Sequence, residues 1–514
     1  MNYCEDCGAP LSPGVLFCEN CGAKIQENNA DYICSKEAAK VLNAETCTET
    51  GIVYTNSSLL AAQTGLSKDT VLSIINQFIA DARGRGLQYE LCDVCENFKD
   101  AGKVEKHIEI ISKIAAKANI DYLFIIGSGS VIPSAVWKNE ACDYESDRDV
   151  SGDLCYATLN MKSPFSGVKY DFSRTLKVGR LPNCDFATYF ENLKKGSSKI
   201  EETKSFGMSA KVWQAETCDI YSHICQTSSV FTSPECTKNS AAGLIPSDTN
   251  LFLFNLHGSN QTEYWYGQEE ASYPEAIEPT TFDGIKNPYF LAVEACYGAF
   301  YEGRSKDKSV LLSALSGMCI SFLGSSRIAF GTPKAPGSCA DVICDSWLQN
   351  VKAGQTAGKS LEDARKNLMK DKSPEAIKTL AEFSLYGDPS ARMKRCDSTA
   401  GAKTLKQVQG DNGSHADENK SHAELVSASL VDLPDIHIAV RREIAAVDNK
   451  IKESIEELVY RQFKELIGIK PVYYKTHGSD DMNAVFSGKN ALGAKIVNVH
   501  FTANGEIKGL LESK

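Results

Sequence analysis

The chain has 514 residues, 42% of them hydrophobic, and a formal net charge of −11. That length predicts about three domains with sizeable cores, and the acidic balance argues against general binding to nucleic acid or to an anionic membrane. No apolar run reaches the roughly 20 residues that span a bilayer. Met1-Asn2-Tyr3-Cys4 shows neither the basic nor the apolar region of a signal peptide, so the nineteen cysteines read as reduced thiols and metal ligands of a cytoplasmic protein.

Residues 1–25 form a compact cysteine module. Cys4 and Cys7, then Cys18 and Cys21, make two Cys-x2-Cys knuckles, with Gly8 and Gly22 permitting the tight turns. Four soft thiolates at this spacing can close a tetrahedral shell around one structural Zn²⁺, leaving no open position for catalysis. The string from Cys4 to Ile25 resembles the short zinc ribbons at the N-termini of many prokaryotic proteins. Cys92 and Cys95 have no second pair at matching distance and read as structural.

Residues 26–50 are a polar linker. From Gly51 the chain alternates strand and helix. Ile52-Val53-Tyr54 opens a sheet, Ser67 caps a helix with Val71, Ile75 and Phe78 on one face, and Leu87–Val94 forms the next strand. Val104–Ala116 reads as a helix and Tyr122–Gly127 as a buried strand ending in a glycine turn. Lys211–Glu216 reads as a strand ending at Glu216, and buried strands follow at Leu251–Leu256, Tyr289–Ala295 and Met318–Gly324, with helices closing the domain near 393. This alternation predicts an α/β fold, a doubly wound, mostly parallel sheet flanked by helices over 51–395. Residues 396–433, rich in Gly, Ser, Asn, Asp and Lys, read as a disordered linker. Their Lys406–Asp411 and His422–Ser427 strings look like translated interspersed repeats of bacterial genomes. Residues 434–514 read as a small α+β domain, with an amphipathic helix over 438–466, strands at 471–475, 483–486 and 494–502, and a hairpin turn at Ala503–Glu506.

The chemistry sits at two strand tips. Leu251–Leu256 runs into His257-Gly258, and Tyr289–Ala295 into Cys296-Tyr297-Gly298. In a parallel sheet, functional groups lie beyond the carboxyl ends of the strands, so a His and a Cys emerge on one edge. A thiol beside an imidazole can become a nucleophilic thiolate. His477-Gly478 repeats the first pair but no Ala-Cys block follows it, so it carries no site.

The pattern of apolar block, His-Gly, spacer, apolar block and Ala-Cys resembles the caspase-like cysteine peptidases. Tyr122–Pro133, Val178-Gly179-Arg180-Leu181-Pro182 with Ser146-Asp147 before it, and Leu385–Ser390 resemble segments of the gingipain-like family. Glu294-Ala295-Cys296 with Gly298 and Phe300 is also similar to legumains. The resemblance implies that Cys296 attacks the scissile carbonyl, His257 passes the proton to the leaving amine, and the N–H groups of Gly258 and Cys296 hold the oxyanion. It further implies that Glu216 orients His257 and that Asp219 lies in the pocket for a basic P1 side chain. Arg327, after the Met318–Gly324 strand, is placed to face the same pocket and would disfavour such a side chain.

The expected function is an intracellular cysteine endopeptidase regulated by its flanking domains. Its expected partners are a protein or peptide substrate and a regulatory protein on the zinc ribbon or the C-terminal domain. A catalytically silent caspase-like scaffold and a legumain-like transpeptidase are the alternatives. A preference for basic residues would make Lys394, Arg395, Lys403, Lys406 and Lys420 self-processing targets, and cleavage there would separate the C-terminal domain.

Overall fold

The computed structural model describes residues 2–3, 10–11, 32–34, 49–94, 100–139, 146–166, 172, 175–196, 203–225, 229–393, 442–476 and 481–514. Cys4, Cys7, Cys18, Cys21, Cys95, His477 and the 396–433 segment lie outside them. At the N-terminus Asn2–Tyr3 pairs antiparallel with Pro10–Leu11.

An eleven-stranded sheet organises the chain. Its strands are β1 (Tyr32–Cys34), β2 (Glu49–Thr55), β3 (Leu87–Val94), β4 (Tyr122–Ile126), β5 (Lys177–Leu181), β6 (Ser205–Ala210), β7 (Phe231–Ser233), β8 (Leu251–Asn255), β9 (Tyr289–Val293), β10 (Cys319–Ser325) and β12 (Phe383–Gly387). The order across the sheet is β7-β6-β8-β9-β10-β12-β5-β4-β2-β3-β1. The five strands from β7 to β10 run parallel to one another, and so do the five from β12 to β3. The two blocks meet antiparallel at β10 and β12, and β1 is antiparallel at the far edge. The doubly wound, mostly parallel α/β sheet read from the sequence is thus present, as two opposed parallel halves. Every residue of β4, β8, β9 and β10 is buried, as strands covered on both faces by helices require.

Local chemistry fixes the connections. Ser67 Oγ accepts from Thr70 N–H and caps α1 (Lys68–Gly84), whose Val71, Ile75, Phe78 and Ile79 are buried. Arg180, at the tip of β5, is fully buried and forks onto Asp153 with two 2.7 Å bonds. Its remaining N–H groups donate to the Gly127 and Ile132 carbonyls, so the Val-Gly-Arg segment staples the turn after β4. Asp388 closes the β12 turn, accepting from Ser390 N–H and the Tyr89 hydroxyl.

The strand expected at Lys211–Glu216 is one segment earlier, at β6. Lys211–Trp213 forms a 3-10 turn and Glu216 lies in the first turn of α2 (Gln214–Ile224). Downstream, α3 (Ala340–Lys352) and α4 (Pro374–Glu382) flank the sheet.

A second, antiparallel sheet joins the chain's C-terminal part to this body. Its order is β11 (Phe330–Gly331), β17 (Ile507–Ser513), β16 (Gly493–Thr502), β15 (Asp481–Asn490), β14 (Val472–Thr476) and β13 (Arg442–Ile444). The helix α5 covers Asn449–Gln462, shorter than the expected 438–466, because Arg442–Ile444 is extended and joins the sheet. Ile455, Val459, Phe486, Val497 and Phe501 make a small core of their own. Val485, Ile496 and Leu511 instead belong to the main core, so the two bodies share apolar burial.

Candidate active site

β8 and β9 are hydrogen-bonded parallel neighbours, with Phe254 opposite Val293. Their carboxyl ends deliver His257 and Cys296 to one edge of the sheet, where both line a cavity of about 440 Å³. Cys296 is followed by Tyr297 at φ 53°, a left-handed conformation that turns the chain sharply after the thiol. Tyr297 N–H donates to the Arg327 carbonyl (2.7 Å) and its hydroxyl to Asp147. The other oxygen of Asp147 accepts from Ile328 N–H (2.7 Å), which ties this turn to the segment before β11.

His257 is 3% exposed and held on three sides. Its ring centroid is 4.3 Å from that of Trp213 and 5.2 Å from that of Tyr273. Its Nε2 is 2.7 Å from Gln268 Oε1, and Gln268 Nε2 in turn donates to the Glu270 carbonyl. That arrangement makes Nε2 the protonated nitrogen and leaves Nδ1 free of this bond. Gln268, not Glu216, is therefore the group bonded to the imidazole. Burial, reinforced by the ammonium groups of Lys495 and Lys514, holds the imidazole neutral, well below its ordinary range. Burial also pushes the Cys296 thiol up to about 12. The pair rests as a neutral thiol and a neutral imidazole.

The cleft contains a segment of the chain itself. Ser513 lies opposite Phe330 and Glu512 opposite Gly331 in an antiparallel pairing of β17 with β11. Lys514 N–H donates to the Ala329 carbonyl (3.0 Å), and the Lys514 carbonyl oxygen accepts from Cys296 N–H at 3.1 Å. Gly258 packs against the other side of this turn, so closely that a Cβ there would sit 1.8 Å from the Cys296 carbonyl oxygen.

The Lys514 side chain runs into a closed pocket and is fully buried. Its Nζ is 2.7 Å from Asp341, 3.2 Å from Glu294 and 3.8 Å from Glu216, and it donates to Asn255 Oδ1 at 3.0 Å. It also lies 4.8 Å from the Trp213 ring centroid, a cation–π contact. Gly331 forms one wall, where a Cβ would stand 2.1 Å from Lys514 Cε. Asp341, in the first turn of α3, accepts from Thr332 and Ser338 N–H, which suits a carboxylate. Burial, with the neighbouring Asp341 adding, pushes Glu216 up to about 8. Burial raises Glu294 well above the usual carboxylate range. Burial disfavours the Lys514 ammonium, but Asp341, Glu294 and Glu216 outweigh it and the group stays above the ordinary lysine range.

The structure therefore brings together Cys296, His257, Gly258 and Glu216, with Glu216 among the carboxylates around Lys514. Asp219 is exposed on α2 and is not one of the carboxylates in contact with the Lys514 ammonium. The Arg327 guanidinium donates to the Asp149 and Ser326 carbonyls and lies 3.6 Å from Glu302, and it is not among the polar partners of Lys514. Asp341, Gln268 and Trp213 carry no motif. Glu294 has a sequence signal, an ionisable residue closing an otherwise apolar strand.

The family model "Peptidase family C25" matches residues 66–394, and that of the zinc-ribbon domain matches residues 3–25. No curated protein matches the chain. Among solved structures, the complex of the pro- and mature domains of RgpB from Porphyromonas gingivalis is similar at 13% identity. That match covers 67% of this chain and 79% of that one, with a TM-score of 0.48. The Arg-specific cysteine proteinase gingipain R is similar at 9% identity, covering 92% and 98% of the two chains, with a TM-score of 0.47. Among the described residues no helix is long and apolar enough to cross a membrane. With a Cys and a His at adjacent strand tips and a family match over most of its length, the chain belongs to peptidase family C25 and is a cysteine peptidase with an N-terminal zinc-ribbon domain.

Proposed function

We propose that the protein is an endopeptidase that cuts after basic residues, lysine above all, with Cys296 as nucleophile and His257 as proton carrier. The thiol proton passes to His257 as Cys296 Sγ bonds to the scissile carbonyl carbon. His257 then gives that proton to the leaving amine as the C–N bond breaks, and water hydrolyses the thioester. The N–H of Cys296, with that of Gly258 expected beside it, stabilises the negative oxygen of the tetrahedral intermediate.

One observation carries this reading: a lysine whose carbonyl meets the nucleophile's own N–H while its ammonium sits among three carboxylates. A compact point charge with three donors suits Asp341, Glu294 and Asn255 at 2.7–3.2 Å better than a planar guanidinium does. Residues 1–25 would bind one Zn²⁺ through Cys4, Cys7, Cys18 and Cys21 and act structurally. The organisation proposed is this ribbon, a peptidase domain over 51–395 joined in its sheet by Tyr32–Cys34 and Glu49–Thr50 of the segment 26–50 that was expected to be a linker, a linker over 396–433 and an α+β domain over 434–514. Bonds after Lys394, Arg395, Lys403, Lys406 and Lys420 are proposed self-processing sites.

A peptide-library profile of wild type, Cys296→Ala and His257→Ala tests the assignment. Cleavage after lysine should exceed cleavage after arginine, and both variants should fall below about one percent of wild type, the scale of loss for members of a catalytic unit. Activity retained in either variant refutes the dyad. Intact 396–433 segments by mass spectrometry in both wild type and Cys296→Ala refute self-processing.

A further inference from the structure

We propose that Glu512-Ser513-Lys514 is a built-in peptide ligand of the catalytic cleft, lying in it as the acyl half of a substrate does and closing it to other peptides. Calling the cleft catalytic rests on the peptidase reading, whereas the occupancy of the cleft does not.

Each residue of the segment has a fitted partner. Lys514 fills the pocket of Asp341, Glu294 and Glu216, and its carbonyl is bonded by Cys296 N–H. Glu512 is 2% exposed, accepts from Trp213 Nε1 at 2.5 Å and pairs with Lys495 Nζ at 2.5 Å. The backbone between them is a strand on β11. Pairing an extended peptide to a strand edge, with alternate side chains in pockets, is how sheets bind peptides. Here the peptide is the end strand of the sheet β17-β16-β15, so its conformation is fixed before it enters the cleft, which lowers the ordering cost of binding.

The same unit covers the cleft a second time. The turn joining β15 to β16 supplies Asn490, Leu492 and Gly493 to the cavity wall beside Cys296 and His257. Ser259, two residues after His257, donates its hydroxyl to the Leu492 carbonyl at 3.3 Å. Substrate entry therefore requires both β17 and this turn to move.

The test reads thiol accessibility, which does not depend on turnover. Full-length wild type, Lys514→Ala and Gly331→Ala are treated with iodoacetamide, and labelling of Cys296 is followed by mass spectrometry. Gly331→Ala puts a methyl group 2.1 Å from Lys514 Cε and 2.6 Å from Asp341 Oδ1, so it crowds the seated side chain while keeping every charged group of the pocket. Labelling is expected at least tenfold faster in both variants, and a peptide ending in Glu-Ser-Lys at millimolar concentration should restore protection to Lys514→Ala but not to Gly331→Ala. If one variant loses its fold, as judged by circular dichroism, the other decides. Equal labelling rates in wild type and a folded variant overturn the proposal. Protection of wild type that fades on dilution overturns the in-cis arrangement in favour of a second copy of the chain. Fast labelling in the variants without hydrolysis of lysyl peptides upholds the built-in ligand while removing the peptidase reading.

Discussion

Three buried carboxylates around one ammonium raise a question of charge. Asp341 stands nearest the Lys514 ammonium, at 2.7 Å against 3.2 Å for Glu294 and 3.8 Å for Glu216, and burial raises both glutamates, Glu216 to about 8. Replacing Asp341 by Asn should therefore cost far more than replacing Glu216 by Gln. Removing one partner of a buried charge pair typically costs about 2–5 kcal/mol. The kcat/KM for a lysyl substrate should accordingly fall on the order of a hundredfold or more in Asp341→Asn, measured in a protein freed of its tail. Glu216 also makes a stability prediction. Its folded value lies above the ordinary carboxyl value of 4.5, so the native state holds a proton that the unfolded chain has lost. That contribution is fully present below 4.5 and is lost as pH rises through about 8. In Glu216→Gln the melting temperature should decline less between pH 5 and 8 than in wild type, and an identical decline would show that Glu216 is not the group responsible.

At the scale of elements, the two tips that carry Cys296 and His257 were legible because parallel buried strands are long, apolar and unmistakable, and each ends abruptly in a polar pair. Their closeness also makes a sharp demand on Gly258. An added Cβ would stand 1.8 Å from the Cys296 carbonyl oxygen, backbone that cannot swing aside as a side chain would. Gly258→Ala should displace the strand tip, and a shift of about 1 Å in a catalytic group can cost on the order of a hundredfold in rate. Steady-state kinetics beside a melting curve check this: near-wild-type kcat would show the tip to be compliant. The element around Glu216 was misread for a reason of composition. β6 reads Ser-Phe-Gly-Met-Ser-Ala, too rich in small residues to look like a strand, yet a Cβ on its Gly207 would meet Tyr221 of α2 at 2.8 Å. The neighbouring Lys-Val-Trp alternation imitated a strand instead, and moving the strand onto it turned Glu216 from a pocket residue into a partner of His257. Gln268 and Asp341 were invisible because each acts through contacts made far along the chain.

For the whole molecule, deleting residues 1–25 should remove the zinc proposed for Cys4, Cys7, Cys18 and Cys21 and leave the peptidase body folded, because all four proposed ligands lie in that module. Zinc retained after the deletion, by metal analysis, would place the metal elsewhere.

Cleavage within 396–433 has a different consequence from the one its position suggests. The C-terminal part is held to the body by more than the connecting chain. β17 pairs with β11, Val485, Ile496 and Leu511 enter the main core, and Asn498 donates to the buried Glu375 of α4 at 2.9 Å. A cut would leave these contacts in place and remove only the covalent link, whose contribution is the effective concentration it imposes on the two pieces. The nicked protein should therefore still elute as one complex and remain closed at micromolar concentration. It should open only on dilution below the dissociation constant of the two pieces. Introducing a unique protease site in this segment and following lysyl-substrate hydrolysis against dilution measures this directly. Full activity at the moment of cleavage, at high concentration, would mean that the connecting chain and not the buried β17 contact keeps the cleft shut.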